Sequence, residues 1–346
     1  MWTTDKPCKS WVEFSKKEAG KSFYSQSPRK AYASQDGLYC VDTLHRVTVK
    51  GLEKNTTYFY RVLSQEVKEL LPYRPVLGNI VSTDIWEKPL TFTTLDGRQE
   101  TLSIVMINDI HGKNDLQKKL LEMAPPQNVD MVVFCGDMCN YINKQSDIFT
   151  GFLDTSVGLF ASRKPFVYVR GNHETRGAYA RNFFRYLAGP EGKFYYAFTY
   201  GPIRFIVLDS GEDKPDTDVE YSGLVDFDNY ILEQKEWLAR ELESPEFRAA
   251  SFRVVLSHIP FGKGSWYGSE RLRKQLLPLL ESVRIDLMLS GHNHAFGFMD
   301  KGKVTAFPII VNSNNSVLTM FGSKDLLKVQ VKQIDGKVLL EKEFSK

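Results

Sequence analysis

The feature that most constrains this fold is a set of five short polar motifs, each placed directly after an apolar run. Five of the six histidines lie in or beside these motifs, and only His45 lies elsewhere. Two histidines two positions apart cannot share one helix face, but at a strand end both rings can enter one pocket. The clustering therefore predicts a metal centre. The motifs are Asp109-Ile110-His111, Gly136-Asp137, Gly171-Asn172-His173-Glu174, Ser257-His258-Ile259-Pro260 and Gly291-His292-Asn293-His294.

Residues 1 to about 95 alternate apolar and polar positions, which predicts strands rather than helices. The predicted strands are residues 2–4, 10–14, 45–49, 57–63 and 91–95. Within 52–62, Leu52 precedes a turn, and Tyr58 can hydrogen-bond back across a corner while Tyr58, Tyr60 and Val62 face one way. This pattern resembles the tyrosine corner of a fibronectin type III or immunoglobulin-like sandwich. We predict an all-β domain over residues 1–96, ending in the polar turn 96–100.

After residue 100, apolar runs alternate with helical stretches, which predicts an α/β domain over residues 97–346. The acidic, non-periodic residues 210–228 predict an excursion loop, either a lid or simple decoration. Past residue 300 the strands predict a second antiparallel edge or sheet. The predicted strands are 102–107, 131–135, 166–169, 205–208, 252–256, 285–289, 304–311, 317–321, 326–334 and 338–344, and the predicted helices are 115–123, 147–161, 230–242 and 270–283.

Length and charge restrict the class of protein. The 346 residues suffice for two domains or one large one. A net charge of +3, with basic residues spread along the chain, favours neither a nucleic acid nor an anionic membrane as partner. No apolar run reaches the roughly 18 residues of a membrane span. The chain opens within a predicted strand, so we expect an engineered start and a removed export signal.

The four cysteines form no Cys-x-x-Cys pattern. Cys135 and Cys139 are predicted to be packed thiols, although Cys139 follows Asp137 closely. Cys8 and Cys40 can pair if the protein is exported, and the sequence leaves this open.

The polar residues after the strands suit two divalent ions. They comprise two carboxylates, one amide and four or five imidazoles, a mixture of nitrogen and oxygen ligands that favours Zn, Mn or Fe. Two ions about 3.5 to 4 Å apart need a bridging carboxylate. In open α/β sheets, ligands bind beyond the carboxyl ends of the strands. Five strand ends can therefore converge on one point.

The ordered set Asp-x-His, Gly-Asp, Gly-Asn-His-Glu, Ser-His and Gly-His-x-His resembles the calcineurin-like metallophosphoesterases over residues 100–320. The β domain in front resembles the N-terminal domain of purple acid phosphatases. The resemblance implies a four-layer αββα sandwich preceded by an immunoglobulin/fibronectin-like sandwich. It also implies an enzyme that hydrolyses phosphate monoesters by attack of a metal-bound hydroxide, on a small phosphorylated substrate.

The resemblance further implies a role for each motif residue. Asp109, His111 and His294 would hold one metal ion, Asn172, His258 and His292 the other, and Asp137 would bridge both. His173 would face the phosphate and protonate the leaving oxygen, while Glu174 would orient His173 or a neighbour. Purple acid phosphatases have a tyrosine three residues after the bridging aspartate and no histidine at the position of His111. Here Asn140 stands at that place, with Tyr141 one position late, so a purple colour is not expected.

Substrate contacts are suggested by position alone. Arg176 follows the third motif and can reach a phosphate or form a surface salt bridge. Phe261, Trp266 and Tyr267 follow His258 in a glycine-rich loop that can wall a substrate pocket, and Asn114 flanks the first motif. His45 is predicted to be an exposed or half-buried strand residue.

Two other functions remain open. The same site can act on phosphodiesters, or the protein can be an inactive metal-containing binding protein in which the β domain does the work. Export to the periplasm, the cell envelope or the medium is the expected location. The sequence specifies neither the substrate nor the native metals nor the oligomeric state.

Overall fold

A computed structural model describes residues 1–95, 99–262, 264 and 266–346. Its contacts divide the chain into two compact units, Met1–Gly97 and Arg98–Lys346. Asp96, Gly97 and Arg98, where we predicted the domain boundary, lie outside the described residues.

The first unit is all-β, as predicted, and its described strand pairings are antiparallel. The long strand β1 replaces two predicted strands, and its register shifts between Thr3 and Cys8. It pairs with β2, β5 and β6, while β7 and β8 pair with β6. The strands are β1 (Trp2–Lys16), β2 (Arg29–Tyr32), β3 (Ser34–Gln35), β4 (Leu38–Tyr39), β5 (Val41–His45), β6 (Thr57–Glu69), β7 (Val76–Ser82) and β8 (Leu90–Thr93), with a 3₁₀ turn at Tyr24–Gln26.

The predicted tyrosine corner is confirmed. The Tyr58 hydroxyl accepts a hydrogen bond from the backbone N–H of Glu53 at 2.9 Å, and the residue is 2% exposed. Its ring packs with Val12 and Phe14 in the core of this unit, and Tyr60 packs against that core. A buried phenol that finds a partner for its hydroxyl stabilises the turn before the strand.

Two predictions in this unit are wrong. Residues 46–49 are not a strand, because the strand here is β5 and it ends at His45. His45 is buried rather than exposed, since its ring packs 5.4 Å from that of Trp2 and its Nε2 lies 2.9 Å from the Thr4 hydroxyl. Cys8 and Cys40 are both free thiols in this structure.

The second unit has the predicted α/β architecture, with two six-stranded mixed sheets. The first sheet has the order β11-β10-β9-β18-β19-β20 and the second the order β12-β13-β14-β15-β17-β16. The strands are β9 (Leu102–Ile107), β10 (Met131–Cys135), β11 (Phe166–Val169), β12 (Tyr196–Tyr200), β13 (Ile203–Leu208), β14 (Phe252–Ser257), β15 (Leu287–Ser290), β16 (Gly297–Met299), β17 (Ile309–Val311), β18 (Ser316–Gly322), β19 (Leu326–Gln333) and β20 (Val338–Ser345).

Helices complete the layers on both sides of the sheets. One core lies between the two sheets, where residues such as Met106 and Leu256 are completely buried. A second core lies between the second sheet and the helices that follow β13 and β14. The α-helices are α1 (Asn114–Met123), α2 (Gln145–Ile148), α3 (Asp154–Ser156), α4 (Phe184–Leu187), α5 (Phe227–Leu242), α6 (Pro245–Ala249), α7 (Tyr267–Gln275) and α8 (Leu277–Glu281). Short 3₁₀ turns lie at Pro126–Asn128, His173–Thr175, Ala180–Asn182, Pro190–Gly192 and Val219–Tyr221, and π-helical turns at Phe149–Leu153 and Val157–Ala161.

The C-terminal strands form an antiparallel edge, one of the two arrangements predicted for the residues past 300. β18 pairs antiparallel with β9, and β19 and β20 follow it, so they extend the first sheet rather than form a separate one. The predicted strand 304–311 is too long, since only Ile309–Val311 pairs. The predicted helix 270–283 is two helices, because Pro278 lacks the N–H that a continuous helix needs. Among the described helices, none combines the length and apolar character needed to cross a membrane.

Candidate metal centre

The metal-type side chains gather at one edge because their strands run parallel. β9, β10 and β11 pair in parallel in the first sheet, and so do β14 and β15 in the second. Parallel strands end on the same side, so the residues that follow them meet there. Three groups of candidate ligand atoms result, each group within 4.8 Å. They are Asp109, His111 and His294; His111, Asp137 and His173; and Asp137, His258 and His292.

Each carboxylate has one oxygen held by the protein and the other turned toward the centre. Asp109 Oδ2 accepts the backbone N–H of His292 at 2.9 Å, and its Oδ1 lies 3.2 Å from His294 Nε2. Asp137 Oδ1 accepts the N–H of His173 at 3.0 Å. Asp137 Oδ2 lies 3.2 Å from His258 Nε2 and 4.0 Å from His111 Nε2. Asp137 thus lies within reach of both His258 and His111, which belong to different ligand groups.

The residues fit a metal ion, because buried polar atoms at this point have no partner among the described residues or face only another ligand-type atom. Asn172 Oδ1 and His292 Nε2 have no hydrogen-bond partner. Asp109 Oδ1 and His258 Nε2 face His294 Nε2 and Asp137 Oδ2, each at 3.2 Å. A buried polar atom left without a partner costs about 1–3 kcal/mol, so native proteins rarely contain a cluster of them. A carboxylate oxygen, an amide oxygen and imidazole nitrogens are also the donors that Zn, Mn or Fe accept.

The backbone at this centre adopts a conformation that L-residues rarely occupy. φ is +54° at Asp109, +50° at His111, +54° at Asp137, +71° at His292 and +55° at His294. Each such non-glycine residue costs of the order of 1–3 kcal/mol, and such residues concentrate at functional sites. Five of them around one point indicate that the fold aims these side chains at the expense of stability.

Two glycines permit the close packing of the motifs. A Cβ on Gly171 would collide with the backbone nitrogen and the carboxylate of Asp137. A Cβ on Gly291 would lie 2.8 Å from Asp109 Oδ2. A side chain at either position would therefore displace the carboxylates from the centre.

Burial and neighbouring charges set the protonation of the imidazoles. Burial lowers the pKa of His111 to about 4 and that of His292 to about 3, which leaves both neutral near pH 7. Burial also opposes a charge on His258, but the carboxylates of Asp137 and Asp109 outweigh it and raise its pKa to about 10. Burial would raise the pKa of Asp137, yet His258 and His173 hold that pKa below its usual range. The Nδ1 of His258 faces the carbonyl of Cys135 at 2.7 Å, which turns its Nε2 toward Asp137.

Glu174 connects the loop that carries Asp137 to the loop that carries Asn172 and His173. It is completely buried, and its carboxylate accepts the backbone N–H groups of Asp137, Cys139 and Gly171, each at 2.9 Å. Burial and the nearby Asp137 raise its pKa to about 7. Glu174 therefore positions Asp137 through the backbone, whereas His173 is oriented by the carbonyl of Asn140, 2.7 Å from its Nδ1.

Arg176 forms the ion pair that was one of its two predicted roles. Its guanidinium donates to the two oxygens of Glu212 at 3.0 and 2.8 Å, and it lies 3.3 Å from Asp213. Its Nη1 also lies 3.3 Å from His173 Nε2, so the residue reaches the rim of the centre.

The remaining predicted substrate residues separate in space. Phe261 is completely buried in the core under the second sheet, so its prediction as a pocket wall is wrong. Asn114 donates to the carbonyl of Thr150 at 2.7 Å and accepts from Thr155, and so connects α1 to the next helical stretch. The Tyr267 hydroxyl donates to Asp228. Only Trp266 reaches the centre, where its ring stands edge-on to that of His292 with 4.7 Å between centroids.

Sequence reasoning missed three residues that support the site. Asn108 donates to Asp109 Oδ2 at 2.6 Å, and Asn312 in turn donates to Asn108 Oδ1 at 2.7 Å. Asn312 directly follows β17, so the rule that found the five motifs applies to it as well. Glu212 lies in the excursion 210–228, where only its acidic character stood out.

Comparisons with known proteins agree with this geometry. The model of the calcineurin-like phosphoesterase family matches residues 102–296, more than half of the chain, and that of the purple acid phosphatase N-terminal domain matches residues 1–94. Purple acid phosphatase 23 of Arabidopsis thaliana is 23% identical over 83% of this chain and 63% of its own length. Purple acid phosphatase 22 of the same plant is 24% identical over 85% and 62%, and a purple acid phosphatase of Glycine max is 23% identical over 89% and 63%. The chain spans somewhat over 60% of the length of these relatives. The chain belongs to the calcineurin-like phosphoesterase family.

Proposed function

We propose that this protein is a metal-dependent phosphatase that hydrolyses phosphate monoesters at a two-metal centre. The observation that carries the proposal is the position of the Asp137 carboxylate, whose Oδ2 lies 3.2 Å from His258 Nε2 of one ligand group and 4.0 Å from His111 Nε2 of another. The buried polar atoms around it that lack hydrogen-bond partners would be satisfied by bound cations. The names of the relatives favour monoesters, since each is a purple acid phosphatase.

Asp109, His111 and His294 would hold one ion, Asn172, His258 and His292 would hold the other, and Asp137 would contribute to both. Zn, Mn or Fe bound here would neutralise phosphate oxygens and lower the pKa of a bound water. The protein holds the donors in place through Glu174, the Asn108–Asn312 pair and the strained loops.

His173 is proposed to serve the leaving group. Its Nδ1 faces the Asn140 carbonyl, so this nitrogen carries the proton and the ring cannot turn freely. Its Nε2 lies 3.9 Å from Asp137 Oδ2 and 3.3 Å from Arg176 Nη1, which can only donate, so Nε2 is the acceptor in this structure. Once protonated, Nε2 can donate that proton to the departing alkoxide.

The departure from purple acid phosphatases has a consequence for iron. Asn140 occupies the place of the tyrosine ligand, and Tyr141 is exposed. We therefore expect the iron-loaded protein to show no tyrosinate charge-transfer band in its visible spectrum. A strong band of that kind would mean that a tyrosine reaches the metal.

The decisive experiment combines metal analysis with a paired assay. The protein is loaded with Zn, Mn or Fe, its bound ions are counted, and a chromogenic phosphate monoester and diester are compared. We expect about two ions per chain and faster turnover of the monoester. Faster turnover of the diester would favour a phosphodiesterase. No hydrolysis by the loaded protein would favour the binding-protein alternative.

A variant tests the assignment of His173. His173→Ala removes a group that is not needed to hold metal, so the ion count should stay the same while kcat falls about 10²-fold or more. Unchanged turnover would show that His173 has no part in the reaction.

The match of the N-terminal unit to the purple acid phosphatase N-terminal domain supports a location outside the cytoplasm. We propose an exported protein that acts on small phosphorylated molecules outside the cytoplasm. Fractionation of cells that express the natural gene would test this, and recovery in the cytoplasm would contradict it.

A further inference from the structure

Glu212 is a buried carboxylate outside the five motifs, and one arginine connects it to the histidine at the rim of the proposed metal centre. We propose that Glu212 and Arg176 are positioning residues, which hold the ring of His173 for proton transfer to the leaving group. The proposal rests on the phosphatase function proposed above and names its substrate class, esters of aliphatic alcohols. Their alkoxides are strong bases that leave slowly without a proton, so these esters gain most from a positioned donor.

Both nitrogens of the His173 ring are held by neighbouring groups. Its Nδ1 lies 2.7 Å from the carbonyl of Asn140, and its Nε2 lies 3.3 Å from Arg176 Nη1. A guanidinium can only donate, so Arg176 fixes the direction of Nε2 before a substrate binds. Without Arg176 the ring would keep the contact at Nδ1 alone, and it could tilt about that contact. The position of Nε2 therefore depends on the position of Arg176.

Carboxylates hold the guanidinium of Arg176 through the two nitrogens that do not face His173. Nε and Nη2 donate to Oε1 and Oε2 of Glu212 at 3.0 and 2.8 Å, and Nη2 lies 3.3 Å from Asp213 Oδ1. A bidentate pair of this kind fixes both the distance and the plane of the guanidinium. The two carboxylates also offset its charge, so a proton on His173 Nε2 would not meet an unpaired cation.

Glu212 is itself fixed by further contacts. It is 1% exposed, and its Oε1 also accepts a hydrogen bond from the Thr175 hydroxyl at 2.5 Å. Its backbone carbonyl accepts a hydrogen bond from Nη2 of Arg271, a buried residue of α7, at 2.8 Å. A side chain held by packing and hydrogen bonds in this way keeps its neighbours in place. The excursion 210–228, predicted as a lid or decoration, thus contributes a residue that supports the site.

The alternative is that the pair of Glu212 and Arg176 only ties two loops together, and the chain offers a matched pair to test this. Arg204 Nε and Nη2 donate to the two oxygens of Glu241, each at 2.8 Å, and both side chains are 10% exposed. Arg204 lies near the start of β13, whereas the motifs lie beyond the carboxyl ends of the strands. The two pairs therefore share their geometry and burial, but only one of them contacts His173.

The test compares Glu212→Gln with Glu241→Gln on metal-loaded protein. The substrates are glycerol phosphate, an aliphatic ester, and p-nitrophenyl phosphate, whose phenolate is a much weaker base. For Glu212→Gln we expect kcat to fall about tenfold on glycerol phosphate and about threefold or less on p-nitrophenyl phosphate, with KM changed by less than about twofold. The number of bound ions should stay that of the wild type. Glu241→Gln should lower the thermal unfolding temperature but leave both kcat values within about twofold of the wild type.

Two further variants show whether Glu212 acts through His173. In a His173→Ala background there is no ring to position, so adding Glu212→Gln should lower kcat by less than about twofold further. Arg176→Lys keeps the charge but lacks the planar fork that pairs with Glu212, so it should show the same substrate pattern as Glu212→Gln. If Glu212→Gln does not fold, Arg176→Lys measured in the same way decides.

The outcomes separate this inference from the function on which it rests. If the metal-loaded wild type hydrolyses neither substrate, the phosphatase function fails and the positioning role fails with it. If the wild type is active, an unchanged kcat of Glu212→Gln, or an equal fall on the two substrates, overturns the positioning role alone. A tenfold further loss in the His173→Ala background, or an equal loss of activity in Glu241→Gln, would also overturn it, because the effect would then not pass through His173.

Discussion

The two halves of the proposed metal centre have similar donors but opposite access to solvent. The inner cluster, Asp137, His258 and His292, is buried throughout. The outer cluster, Asp109, His111 and His294, opens outward, and the side chain of His294 is 49% exposed whereas that of His258 is 0% exposed. The second sheet supplies the inner histidines from β14 and β15, close to the core beneath them.

The difference teaches how the centre can be both stable and usable. In the inner cluster His258, which is charged beside Asp137 without a metal, would lose its proton on binding an ion, and the burial of all three side chains would then slow the escape of that ion. In the outer cluster an ion would be open to exchange with solvent and to contact with substrate. We therefore expect the inner ion to be retained and the outer ion to be the labile one, with Asp137 coupling the two.

The largest expected effect comes from breaking that coupling. Asp137→Asn keeps the size of the side chain but removes the charge that the two proposed cations would share. We expect loss of bound metal and a fall in kcat of about 10³-fold or more. Metal counting and a phosphatase assay measure both. Asp115→Asn, at an exposed position of α1, is the matched control, and retention of two ions by Asp137→Asn would refute the bridge.

The next effect compares the clusters directly. His258→Ala should weaken metal binding about 100-fold, whereas His294→Ala should weaken it about 10-fold and affect one ion only. Chelator competition with ion counting distinguishes the two variants. Equal losses, or a larger loss for His294→Ala, would mean that burial does not govern retention.

A smaller effect is expected from the group that supports the inner cluster from below. Glu174→Gln replaces an acceptor oxygen with an NH₂ group that faces a backbone N–H. Activity should fall about tenfold, and the free energy of unfolding by about 1–3 kcal/mol. Denaturant unfolding and kinetics measure these changes, with the exposed Glu122→Gln as control. Wild-type activity and stability of Glu174→Gln would show that Glu174 does not position Asp137.

The smallest effect concerns His45, a buried histidine of the first unit. Burial lowers the pKa of His45, so the unfolded chain binds more protons than the folded one below about pH 6.5. The stability that this residue contributes is therefore present above that pH and is lost as the pH falls. His45→Phe should make the unfolding free energy of the first unit less dependent on pH between about 5 and 8. An unchanged pH dependence would show that the protonation of His45 does not contribute to the loss of stability in acid.

Much of the fold was predictable because short apolar runs have few alternatives. The bounds of β9, β10 and β11 agree with prediction, since apolar runs of four to six residues are too short for a buried helix and favour a buried strand. β12, which pairs with the adjacent β13 across a two-residue turn, and β16, which has only three residues, were missed. Phe261 was misplaced because no local pattern distinguishes an aromatic residue of a pocket from one of the core.

The sequence by itself determined which side chains could meet, because the order of strands and motifs places their polar residues at strand ends. Tertiary structure alone decided which cluster is buried, which carboxylate oxygen faces the centre and that Glu212, far along the chain, binds Arg176. The physical reason is that burial and hydrogen-bond geometry arise from contacts between distant segments. No local pattern of residue types encodes such contacts.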